Sequence, residues 1–158
     1  MEQVIQLNSN AKLSEHFSLG ELTKSNSHPE IYNIPSHEAI ANMKRLCGWL
    51  EVLRERYNEK YGVGEEPIRI NSGYRSPQLN KAIHGVAGSN HMTGCASDIR
   101  VENMEQLIRY AAILLDYAKE SKQEFDELLI EKNRYGAIWL HFAVRPSGNR
   151  RKVCFINA

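Results

Sequence analysis

From Ser36 to Gly62, apolar residues return every three or four positions: Ile40, Met43, Leu46, Cys47, Leu50, Leu53 and Tyr57. That spacing keeps one face of a helix apolar and predicts a single long amphipathic helix, most simply a scaffold. Leu107, Ile108, Ala111, Leu114, Leu115 and Ala118 repeat the pattern behind the cap-like run Asn103-Met-Glu-Gln106 and predict a second amphipathic helix. Two shorter helices are marked by their ends. Ser18-Leu-Gly-Glu21 has capping-box spacing and opens a helix that ends near Asn26. Ser76-Pro77 opens another, with Gly85 as its stop. Between the first two helices, residues 27–35 carry two prolines and predict an irregular connection.

Elsewhere the pattern changes from helical spacing to alternation. Pro67-Ile-Arg-Ile-Asn-Ser-Gly73 alternates and predicts a strand that delivers Tyr74 and Arg75 to its end. Residues 85–94, rich in Gly, Ser and Asn, predict a loop, followed by a strand over Cys95–Val101. On that strand Asp98 shares a face with Ala96, and Cys95 points the other way. Glu127–Glu131 and Ala137–Val144 predict two antiparallel strands joined by Lys-Asn-Arg-Tyr-Gly. The expected fold is α+β: one domain over 1–158, with a small, mainly antiparallel sheet flanked by helices and a flexible segment over 1–13.

Composition agrees with one unit, since 158 residues with 42% hydrophobic content can bury a substantial core but leave little room for a second domain. Lys plus Arg number 20 against 19 Asp plus Glu, so no global field draws in nucleic acid or anionic membrane. The basic run Arg145-Pro-Ser-Gly-Asn-Arg-Arg-Lys152 is short and reads as a solvated loop, with no nucleic-acid partner expected. No apolar run approaches the ~20 residues of a membrane span, and the first residues lack a signal-peptide pattern. Synthesis in the cytoplasm without membrane insertion is the expectation. Cys47, Cys95 and Cys154 are odd in number and widely spaced, which argues against a disulfide framework or a thiolate zinc site. They are expected to be small buried apolar groups.

Candidate chemistry concentrates at His91, Asp98 and His141. Two histidines and a carboxylate can hold one zinc ion and leave a coordination position open for water. Gly94 lets the chain turn back between His91 and Asp98, while His141 sits mid-strand on the face of Trp139 and Ala143. One Zn²⁺ with two neutral imidazoles and one carboxylate keeps a positive formal charge, which lowers the pKa of bound water. A structural zinc more often has four protein ligands, frequently Cys, and no fourth candidate is evident.

Ser89, His91, Gly94 and Asp98, followed at a distance by Trp139 and His141, resemble the signature of the zinc D-Ala-D-Ala carboxypeptidase group of peptidoglycan peptidases. Gly73-Tyr74-Arg75-Ser76 is a common companion in that group, and the resemblance extends over roughly residues 14–146. It implies the hedgehog/D,D-peptidase fold, one zinc per chain, and hydrolysis of peptidoglycan stem peptides, either as a D,D-carboxypeptidase or as an endopeptidase; a monomer is the expectation. Many members carry Glu three residues before the last His, where this chain has Ile138. Short phage-type members, some of them lysins, instead resemble this chain at Phe125-Asp-Glu-Leu-Leu-Ile-Glu131, which implies Glu131 as general base, with Asp126 and Glu127 as alternatives. If Glu131 pairs across from Trp139, it is a diagonal neighbour of His141 on one sheet face. Arg75 resembles the arginine that faces substrate, where it polarises the scissile carbonyl or holds a carboxylate, and Ser89 the serine that hydrogen-bonds substrate. The departure at Ile138 also leaves open a noncatalytic, zinc-stabilised wall-binding module.

Overall fold

The computed structural model describes residues 8–25, 27–62 and 64–158. Helix α1 (Leu19–Thr23) opens on the expected capping box, with reciprocal bonds between Ser18 and Glu21, but ends before Asn26, which lies outside the described residues. The flexible segment expected over 1–13 falls partly outside them too, and Leu13 is buried in the core. Helix α2 (His37–Tyr61) starts where Ser36 accepts the Ala39 N–H and ends at Gly62. Its apolar stripe of Met43, Leu46, Leu50 and Leu53 is fully buried. Helix α4 (Met104–Ser121), capped by Asn103, packs beside it through Leu107, Tyr110, Leu114 and Ala118. Between them in sequence lies α3 (Pro77–Ala82), capped by Ser76, with Pro77 in its first turn. It stops at Ile83, before the expected Gly85.

Five strands form one sheet: β1 (Ile70–Ser72), β2 (Ala96–Arg100), β3 (Glu127–Lys132), β4 (Ile138–Ala143) and β5 (Lys152–Asn157). Their spatial order is β1-β2-β4-β3-β5, antiparallel except for the β3–β5 pair. Alternation along β2, β3 and β4 separates two chemistries. Ile99, Leu128, Leu140 and Phe142 enter the core beneath α2 and α4, where Trp49 packs edge-on against Tyr117 and tilted against Phe142 at centroid distances of 4.9 and 5.3 Å. Asp98, Glu127, Glu131, Trp139 and His141 occupy the opposite face.

Four expectations change. The first strand is shorter than 67–73 because Pro67 has no N–H to give the ladder and the pairing slips between Ile70 and Ser72. Residues 90–93, expected as loop, form a 3₁₀ turn capped by Ser89 and closed by Gly94 at φ +77°. The basic run does not stay a loop throughout, since Lys152 begins β5, whose Val153 and Phe155 remain exposed. Cys47 and Cys95 are buried as expected, but Cys154 on the edge strand is only partly so.

Gly94 is the glycine on which the site depends most. A Cβ there would strike the Ala39 carbonyl of α2, and the positive φ strains any other residue. Gly48, in the middle of α2, has open space around it. Urea unfolding should therefore show Gly94→Ala destabilised by about 1–3 kcal/mol and Gly48→Ala stabilised by about 0.5–1 kcal/mol. Equal effects of the two substitutions would contradict this assignment.

Candidate metal centre

β2 and β4 pair so that Asp98 lies directly opposite His141. The 3₁₀ turn brings His91 to the same place, and α2 holds that turn through an Asn42 Nδ2 bond to the Thr93 carbonyl at 2.9 Å. His91, Asp98 and His141 each offer a ligand atom, and these atoms lie within 4.8 Å of one another. The sequence-predicted triplet is thus brought together. Asp98 Oδ1 is 3.3 Å from His91 Nε2 and 3.1 Å from His141 Nδ1.

The far ring nitrogens decide which atoms face inward. His91 Nδ1 donates to the Gly73 carbonyl at 2.7 Å, leaving Nε2 turned into the cluster. Despite its proximity to Asp98, that Nε2 has no hydrogen-bond partner, although His91 is only 2% exposed. A buried nitrogen of this kind is costly unless something else binds it. His141 is turned the other way round: Nε2 bonds Glu127 Oε1 at 3.0 Å and Nδ1 faces Asp98. One nitrogen of each ring and one carboxylate oxygen therefore converge, and each ring is tied down behind, as metal-binding imidazoles require. This donor set fits zinc. The electrostatics favour a cation in the same place. Burial opposes charge on His141, but the Asp98 and Glu127 carboxylates raise its pKa to about 10. Burial likewise opposes ionisation of Asp98, yet the two imidazoles hold it well below the usual carboxylate range.

Glu131 lies opposite Trp139 as expected, and its Oε1 is 3.8 Å from His141 Nδ1. The Trp139 indole N–H donates to its other oxygen at 2.7 Å. Burial and the neighbouring Asp98 raise the Glu131 pKa, against the pull of His141, Trp139 and Arg75. Arg75 faces the cluster, its Nη2 3.6 Å from Asp98 Oδ2, and it is oriented by Ser72 Oγ and Asn80 Oδ1. Ser89 stands at the edge, where its hydroxyl oxygen accepts the His91 N–H at 3.1 Å as a local cap.

Asp126 and Glu127, the alternative bases, have other attachments. Glu127 Oε1 is committed to His141 and to Asn90 Nδ2. Asp126 is fully buried and receives Arg150, Asn90 and the Arg150 backbone N–H. Sequence reasoning assigned nothing to Asn33, whose side-chain amide donates to the Tyr74 carbonyl and accepts the Ser76 N–H, bracketing Arg75 on both sides. Nor did it find Asn90, which ties the His91 turn to β3. Single asparagines in polar loops leave no periodic signal.

A sheet with helices on one face and a buried two-histidine, one-carboxylate group on the other, beside an acid of raised pKa, defines a candidate mononuclear metal centre. The chain belongs to the peptidase M15 family, whose model, described as "Peptidase M15", matches residues 15–128. That span includes Arg75, His91 and Asp98 and stops before Glu131 and His141. The chain is also similar to a zinc D-Ala-D-Ala carboxypeptidase of Streptomyces albus G, at 28% identity over 97 residues. The matched region is 61% of this chain and spans 36% of the relative's length.

The buried Asp126 makes a prediction about acid stability. Burial works against its charge, but hydrogen bonds from Arg150 and Asn90 hold its pKa at about 2, below the ordinary 3.8. A depressed carboxylate stabilises the fold above its unfolded pKa, and that stability is lost as pH falls through the folded value. Between about pH 4 and 2, the stability of Asp126→Asn should fall less steeply than that of wild type. Parallel acid limbs in denaturant titrations would refute the assignment.

Proposed function

We propose that this chain is a zinc-dependent peptidase that hydrolyses peptide bonds in the stem peptides of bacterial peptidoglycan. The observation that carries the reading is the convergence of His91 Nε2, Asp98 and His141 Nδ1 within 4.8 Å, with Glu131 beside them. The substrate class comes from family membership and from the relative named for D-Ala-D-Ala carboxypeptidase activity. His91, Asp98 and His141 would hold one zinc per chain, which when bound supplies Lewis acidity and lowers the pKa of bound water.

The chain's own groups divide the remaining work. Glu131, with its pKa raised by burial and Asp98, is placed to accept a proton from water and return it to the leaving amine. The Trp139 N–H fixes one carboxylate oxygen and leaves Oε1 toward the cluster. Arg75 offers a preoriented guanidinium that can hold a substrate oxygen or carboxylate. Ser89 keeps its hydroxyl proton free to donate to substrate while its oxygen caps the 3₁₀ turn. Gly73 and Glu127 keep both imidazoles in the tautomers that leave the inward nitrogens bare.

A short, lysin-like enzyme of the phage type, acting as carboxypeptidase or endopeptidase, is the finer form of this reading. Ile138, in place of the commoner Glu, is what favours a noncatalytic wall-binding module instead. The position of Glu131 supplies an acid by a different route and supports catalysis.

Elemental analysis should find close to one zinc in wild type and little in His141→Ala, and chelation should abolish release of amines from peptidoglycan. Folded wild type that accepts no zinc on titration would overturn the proposal. Glu131→Gln should retain the metal and lose about 10²–10⁴-fold in kcat. Unchanged turnover in that variant would remove Glu131 from the mechanism.

A further inference from the structure

Among the described residues, Arg75 is the only lysine or arginine within ion-pair range of Asp98. Its Nη2 stands 3.6 Å from Asp98 Oδ2, beyond the roughly 2.7–2.9 Å of a charge-assisted hydrogen bond. Asp98 and Glu131 both attract the guanidinium. Burial sharpens that attraction, since the Arg75 and Asp98 side chains are only 12% and 13% exposed. A guanidinium left free beside a carboxylate closes on it as a two-bonded fork. This one is held back.

The restraint lies on β1, on α3 and in the loop that follows α3. A fork onto Asp98 needs Nη2 together with either Nε or Nη1. Those two atoms are engaged elsewhere: Nε donates to Ser72 Oγ at 3.2 Å and Nη1 to Asn80 Oδ1 at 3.0 Å. Asn80 is itself fixed, being 4% exposed, with its Nδ2 donating to the Val86 carbonyl at 3.1 Å. That bond settles which end of the amide faces Arg75. The Asn80 carbonyl also accepts the Gly85 N–H at 2.7 Å, which folds the loop back onto the helix. Gly85 then packs against the Arg75–Asn80 bond itself. A Cβ at this position would strike the Asn80 side-chain oxygen and stand 2.9 Å from Arg75 Nη1.

We infer that Asn80, packed against Gly85, is a positioning residue that holds Arg75 off Asp98, leaving the carboxylate open to a metal ion and Nη2 open to a substrate oxygen. This deepens the peptidase reading and rests on it for the identity of the metal and the substrate. Without the clamp the guanidinium closes on Asp98. Metal then binds only the fraction of molecules in which that pair is open, and its apparent affinity falls by the same fraction.

The test is a double-mutant cycle read as zinc affinity, measured by competition with a chromophoric chelator. Asn80→Ala should bind zinc about tenfold more weakly than wild type, because bonds to charged groups are strong enough to keep the closed pair dominant. Arg75→Gln should then raise zinc affinity about tenfold more in the Asn80→Ala background than in wild type. Gly85→Ala disturbs the same bond without touching Asn80 and should show the same coupling, so the test stands even if Asn80→Ala does not fold. Unfolding midpoints check each variant. If Asn80 only supports the loop, its loss weakens zinc binding equally with or without Arg75, and that result overturns the clamp. The cycle needs no peptide, which separates the two ideas. Coupling in a protein that cuts no peptidoglycan peptide keeps the clamp and ends the peptidase reading. Hydrolysis without coupling ends the clamp alone, and folded wild type that takes up no zinc ends both.

Discussion

The pairing of β2 with β4, which sets Asp98 against His141, is the constraint on which the rest of the site depends. Side chains alternate across a sheet, so a slip of one residue would turn His141 into the core and expose Leu140 or Phe142. The register is held from below by the same residues that alternate with the site: Ile99, Leu140 and Phe142, all fully buried under α2 and α4. Hydrophobic burial on one face therefore fixes the alignment of polar groups on the other. The core is less a separate compartment than the gauge that spaces the candidate ligands.

A second layer of polar contacts converts this alignment into defined orientations. Gly73 sits where a Cβ would strike the Leu22 carbonyl, so the chain passes close to α1 and presents its own carbonyl to His91. Asn90 Nδ2 reaches both Asp126 and Glu127, and Arg145 Nε donates to Asn90 Oδ1, joining the 3₁₀ turn, β3 and the segment after β4. Burying Asp126 and Glu127 side by side would be costly without these donors. With them, the adjacent carboxylates become a strut behind His141.

Much of this arrangement was legible in the sequence, for identifiable reasons. The long helices announced themselves through 3.6-residue spacing, whereas His91, Asp98 and His141 stood out as candidate ligands through the family signature they resemble, since a lone histidine on a strand carries little signal by itself. Glu131 is singled out by the same resemblance, and the condition attached to it, pairing across from Trp139, is met by the register found. What escaped was set by tertiary context. β5 pairs parallel to β3 at the sheet edge and exposes Val153 and Phe155, so its alternation does not mark a buried face. The turn over Asn90–Thr93 depends on α2 beneath it, and the division of labour among Asp126, Glu127 and Glu131 depends on which partners the fold brings near each acid.

The order of the strands has a kinetic corollary. β3 and β4 are neighbours in sequence and can close as a hairpin, whereas β2 and β4 are separated in sequence by the whole of α4 and β3. Asp98 and His141 are 43 residues apart, and such non-local contacts form late because their loop entropy must be met before they give anything in return. The cluster is consequently a reporter of complete assembly. Any chain with both long helices and the β3–β4 hairpin but without the β2–β4 pairing would lack the one encounter that sets Asp98 against His141.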